Sequence, residues 1–148
     1  MDNNRVSSVG LFVWGYDYLK AANILLRTGS DDVLYPRLFL YSHAIELGLK
    51  AFIFDKSGNL DRTHDLVKLV DVAKTLGFTP SDTFQSISKT FQVLNNDDYR
   101  VRYFKTGFMS FPNNQVLFEE TKTLYEFLIA QISDPHRIIE RKINAKNN

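Results

Sequence analysis

The stretch from Tyr41 to Phe52 is almost wholly apolar, yet it carries His43, Glu46 and Lys50. At about 100° per residue, these three fall within roughly 60° of one another on a helix. A helix apolar on nearly every side belongs at the centre of a bundle. Ionisable groups on such a helix need partners, because unpaired buried charge is costly. The stretch therefore dictates both an architecture and a candidate site.

The neighbouring sequence supplies the helices that would surround it. Val6, Val9, Val13, Tyr16 and Leu19 recur at three- and four-residue spacing and predict a first helix ending near Arg27. Thr28-Gly29-Ser30-Asp31-Asp32 supplies a break, and Pro36 suits the first turn of the central helix. That helix is expected to reach Ser57, with Gly58-Asn59 as its left-handed cap. Thr63 is the expected N-cap of a third helix running to Gly77. Thr79-Pro80-Ser81-Asp82 predicts a fourth start with Thr79 as cap, and Phe84, Ile87, Phe91 and Leu94 form its buried face. Residues 99–111 have no clean period and read as a long ordered loop. A fifth helix is expected from Pro112 through Ile132, and Asp134-Pro135 starts a short basic one within 133–148. With no strand pattern and no internal repeat, the prediction is a single all-α domain over residues 1–148, a bundle of about five helices plus a short C-terminal helix.

A chain of 148 residues can bury roughly two-thirds of its unfolded surface without metal or disulfide. Cysteine is absent, which excludes thiolate chemistry and fits a reducing, cytoplasmic setting. The polar start and the lack of a long apolar run give no reason to expect a membrane span. Net charge is +1, so any case for nucleic acid must be local. No Gly-rich phosphate loop and no zinc-ligand spacing occurs, and neither cofactor nor metal is expected.

Several residues carry both a structural and a functional reading. Glu46 and Lys50 are an i,i+4 pair, ordinarily a helix ion pair contributing about 0.2–0.5 kcal/mol; the sharper reading puts them in a polar pocket facing His64 or Arg102. His43 reads first as a core histidine donating to a backbone carbonyl. His64, expected at the first position of its helix beside Asp65, is either part of the turn or a proton shuttle. The segment Tyr99-Arg100-Val101-Arg102-Tyr103-Phe104-Lys105 interleaves three cations with three aromatics and no acid. Such a mixture can hold phosphate while stacking a base, or it can simply pin a loop to the bundle. Phe12, Trp14, Phe39, Phe52, Phe84, Phe91, Phe118 and Phe127 read as core or interface.

Ala44-Ile45-Glu46-Leu47-Gly48-Leu49-Lys50-Ala51, followed by Thr63-His64-Asp65-Leu66, resembles the A-x-E-L-x-L-K-A and T-H-D-L pattern of HEPN domains (higher-eukaryote and prokaryote nucleotide-binding). Tyr99-Arg100-Val101-Arg102-Tyr103 resembles the basic-aromatic turn after the fourth helix of some members. The resemblance spans roughly residues 36–105. It implies a small, usually dimeric, all-α protein of toxin–antitoxin, phage-defence or RNA-processing systems. Catalytic members resemble metal-independent ribonucleases with Arg-x(4–6)-His in a late helix. This chain departs from that pattern, since the next histidine after Arg102 is His136; Arg37 and His43 have the spacing, but on the central helix. Two readings follow. One is an RNA- or nucleotide-binding protein, in its catalytic form a metal-independent endoribonuclease. There Arg102, with Arg100, Tyr103 and Lys105, contacts RNA, His64 handles a proton, and Glu46 with Lys50 orients them. The other is a non-catalytic, antitoxin-like interaction module with a protein partner encoded nearby.

Overall fold

The computed structural model describes residues 6–28, 34–96 (side chains through 93) and 113–132. Five helices follow in order: α1 (Ser8–Arg27), α2 (Leu34–Ser57), α3 (Leu66–Thr75), α4 (Asp82–Asn96) and α5 (Asn114–Gln131). There is no strand among the described residues. The expected tail helix in 133–148, the loop 99–111 and Pro112 lie outside them.

α2 is the central element. It packs antiparallel to α1, with Ser8 Oγ donating to Asp55 Oδ1 at one end (3.2 Å) and the Tyr18 ring edge-on to His43 further along (4.6 Å). It runs parallel to α5: the Tyr125 hydroxyl donates to the Ala44 carbonyl (2.6 Å), and Lys56 Nζ to the Gln131 carbonyl (3.0 Å). Every residue of α2 from Ala44 to Ile53 is buried, as a helix covered on all sides must be. Phe52, Phe78, Phe84 and Phe127 close the core where the α3–α4 turn meets α2 and α5, with centroids 5.2–6.4 Å apart.

Helix ends obey local chemistry, with two corrections. Gly58 and Gly77 take the positive φ angles (+73° and +107°) that favour glycine after a helix. The cap of α3 is Asp65, not Thr63: the Asp65 carboxylate accepts from the Lys68 amide (3.1 Å), while the Thr63 hydroxyl accepts from the Asp65 amide (3.2 Å). Likewise Ser81 rather than Thr79 caps α4, its hydroxyl accepting from the Phe84 amide (3.0 Å). In both places two residues able to cap lie within two positions of each other, and the later one makes the bond to the helix amide. On α1 the expected Leu19 is buried and Val9, Val13 and Tyr16 pack half-buried against the core, but the deepest burial extends to a neighbouring face. The buried residues of α1 are Leu11, Phe12, Gly15, Leu19 and Ala22, whereas Val6 is exposed.

Candidate functional site

Glu46 lies near the middle of α2, and Lys50 follows one turn on. Lys50 Nζ donates to Glu46 Oε1 at 2.7 Å with both side chains buried, so this is no surface helix pair. Glu46 Oε1 is also 2.8 Å from His64 Nδ1. One carboxylate oxygen thus holds an enclosed ammonium and a histidine whose side chain is 81% exposed.

The segment ahead of α3 presents that histidine. Asp61 Oδ1 accepts from the Thr63 amide (2.9 Å), and the Thr63 hydroxyl from the Asp65 amide, giving two successive side-chain-closed turns. Gln92 on α4 then accepts from the Leu66 amide (2.6 Å, buried), fixing the start of α3. His64 therefore stands before the N-cap rather than at the first helical position. Gln92 and Asp61 were not singled out by sequence reasoning. The alternation Asp61-x-Thr63-x-Asp65 was the available signal for the turns; nothing local pointed to Gln92.

The geometry sets the tautomer. A carboxylate only accepts, so Nδ1 carries the proton of this contact, and in the neutral ring the lone pair is on Nε2. A carboxylate-oriented imidazole with an open Nε2 suits general-base chemistry. Lys50 holds the carboxylate's charge in place from the buried side.

His43, on the same stripe, sits between rings rather than on a carbonyl. Phe39 stacks on it (5.5 Å, 13°) and Tyr18 meets it edge-on. Burial lowers its pKa below the ordinary value of 6.5, Glu46 opposes that shift, and Lys50 and His64 add to it. The sign follows from linkage: the unfolded chain takes up this proton more readily than the folded one. Stability carried by neutral His43 is therefore complete above pH about 6.5 and lost as pH falls toward the lowered folded pKa. Urea unfolding at pH 7.5 and pH 5 should show this loss in the wild type, and a smaller one in His43→Phe. An equal loss in both would assign the effect to other groups.

Of the sequence-predicted site residues, Glu46, Lys50 and His64 converge. Arg100, Arg102, Tyr103 and Lys105 lie outside the described residues. Trp14 and Phe39, read as core or interface, are 57% and 40% exposed. No group of three side chains able to hold a metal ion occurs among the described residues. No helix among them is long and apolar enough to cross a membrane.

An all-α bundle with a central apolar helix that carries an embedded polar cluster is the class these features define. The HEPN domain family profile matches residues 15–133, and the chain belongs to that family. The match covers α1 from Gly15 onward and all of α2 to α5, and includes both segments that carry the resemblance. No curated protein and no solved structure matches the chain. At family level the match points to a nucleotide- or RNA-related role.

Proposed function

We propose that this chain is an RNA- or nucleotide-binding protein whose Glu46–His64 dyad transfers a proton in metal-independent RNA cleavage. The observation that carries this reading is the shared Glu46 oxygen, which orients an exposed imidazole with its Nε2 open to a substrate. In the reaction, Nε2 takes the proton of a ribose 2′-hydroxyl. The 2′-oxygen then attacks phosphorus, a 2′,3′-cyclic phosphate forms, and the P–O5′ bond breaks as the leaving oxygen takes up a proton from solvent. The sequence supplies the phosphate contacts of this proposal: Arg102 as anchor, with Arg100, Tyr103 and Lys105 beside it. A homodimer, in keeping with the family, would bring two such sites to one assembly.

The test is incubation with total cellular RNA in EDTA, with His64→Ala and Arg102→Ala preparations alongside. Loss of a general base ordinarily costs 10²–10⁴-fold, so His64→Ala should retain less than about one-hundredth of the cleavage. Arg102→Ala should also weaken RNA affinity. Cleavage by wild type that persists in both variants would sink the site assignment.

A second reading has its own support. Lys50 already neutralises Glu46 within the core, so the cluster serves equally as a clamp joining α2 to the start of α3. A net charge of +1 is also low for an RNA binder. On that reading the protein is a non-catalytic, antitoxin-like module. It would cleave no RNA and form a stable complex with a protein encoded nearby.

A further inference from the structure

Arg37 is the fourth residue of α2, and it is 2% exposed. Its Nε and Nη2 atoms and the Tyr41 hydroxyl are buried with no hydrogen-bond partner among the described residues. Among the described residues, all such orphaned side-chain atoms belong to this pair. Native interiors leave few polar atoms in that state, and a cluster of them marks a missing partner. The two residues are i,i+4 neighbours, and helical side chains lean toward the helix N-terminus, so both incline to the start of α2. Burial pushes the Tyr41 phenol up to about 12, against the opposing effect of the Arg37 charge. At neutral pH the phenol keeps its proton and can donate.

The chemistry of these atoms says what is missing. A guanidinium only donates. Were the phenol oxygen to accept one guanidinium N–H, another N–H and the phenol proton would still lack acceptors. The absent group is therefore an acceptor, and an unneutralised buried cation requires it to be an anion. The first turn of α2 carries no acid to play that part.

We propose that Arg37 and Tyr41, at the N-terminal end of α2, form a binding site for a phosphate-class oxyanion. The Nε/Nη2 edge takes two oxygens side by side, as arginine does with phosphate. The Tyr41 hydroxyl donates from one turn further along. A tetrahedral phosphate offers acceptors in more directions than the two coplanar oxygens of a carboxylate, and suits donors arriving from a fork and a phenol. The site is separate from the Glu46–His64 dyad, since Arg37 lies about 180° around α2 from Glu46. It stands whether or not the chain cleaves RNA. An ion bound there stabilises the folded chain directly.

The experiment compares melting temperatures in inorganic phosphate, in adenosine monophosphate and in adenosine, with sodium chloride holding ionic strength constant. Wild type is expected to gain about 5–10 °C once phosphate or the monophosphate reaches a hundredfold excess over its Kd. Adenosine should have no effect. Arg37→Met should respond to neither anion, and Tyr41→Phe should show a reduced response. A response to the monophosphate alone would identify a nucleotide phosphoryl group, and a response to both a free or terminal phosphate. If Arg37→Met fails to fold by circular dichroism, Tyr41→Phe and equilibrium dialysis of labelled phosphate against wild type decide; the dialysis should saturate near one ion per chain. No saturable response in wild type to either anion, or the same response in the variants, overturns the proposal.

Discussion

Glu46→Ala is expected to lower the unfolding free energy by about 3–5 kcal/mol, the usual cost of removing one partner from a buried ion pair. The reason is what remains. Lys50 keeps an ammonium inside the bundle, its side chain only 9% exposed, without the oxygen that now sits 2.7 Å away. Most of the loss is thus desolvation of an unpaired charge rather than a missing attraction. It follows that Glu46→Ala with Lys50→Met should recover much of the stability, because methionine fills a similar volume without a charge. Urea unfolding of the three variants checks this. A double variant as unstable as Glu46→Ala would show that packing, not charge, holds α2 there. The same double variant separates the two functional readings: a clamp needs only stability, whereas a dyad loses the acceptor of His64 Nδ1.

Gly15→Ala is the second substitution with a large expected effect, about 3 kcal/mol. A methyl at Gly15 would fall on the Tyr125 hydroxyl and come within 2.9 Å of Leu47 Cβ. Tyr125 cannot simply step aside. It is buried, its hydroxyl donates to the Ala44 carbonyl at 2.6 Å, and its ring meets Phe12 edge-on at 5.2 Å. On the other side Gly48 is nearly as tight, with Leu124, Leu128 and Tyr125 atoms 3.1–3.2 Å from a Cβ placed there. Gly15 and Gly48 thus make the slot through which a tyrosine of α5 reaches the backbone of α2. Displacing the hydroxyl would add the cost of leaving it without an acceptor, while the Ala44 carbonyl keeps its helical partner. Tyr125→Phe in the Gly15→Ala background should therefore restore part of the loss. If the two substitutions simply add in thermal or urea unfolding, the slot is not the reason.

Tyr125 also shows how far sequence reasoning reached. A glycine inside a helical pattern looks like a weak position, and nothing within four residues of Gly15 or Gly48 says that a side chain more than 70 positions away fills the space. Val6 and Trp14 show the same limit from the opposite side. Periodicity placed α1 correctly, but several faces of that helix are apolar. Which of them meets α2 is settled by the whole packing rather than by spacing.

Within the candidate site, the stripe of His43, Glu46 and Lys50 was legible because helical periodicity fixes angles over a few residues. The meeting of His64 with Glu46 was less so. It needs the turn through Asp61 and Thr63, the cap at Asp65 and the buried bond from Leu66 to Gln92, which together aim the imidazole back at α2. The isolation of the Arg37 guanidinium had no local signal at all. Arginine at the start of a helix ordinarily reads as solvated.

What the sequence by itself determined is the all-α class, the approximate spans of five helices, the glycines that end two of them, the family and the polar stripe on the central helix. These follow from short-range rules: period, backbone freedom at glycine and capping chemistry. The tertiary structure alone decided that Asp65 and Ser81 are the working caps, that Glu46 and Lys50 are buried together, that His64 shares their oxygen, and that Arg37 and Tyr41 lie enclosed without partners among the described residues. Burial and partnership depend on segments far apart in the chain arriving at one place. That long-range sum has no period for a sequence to display.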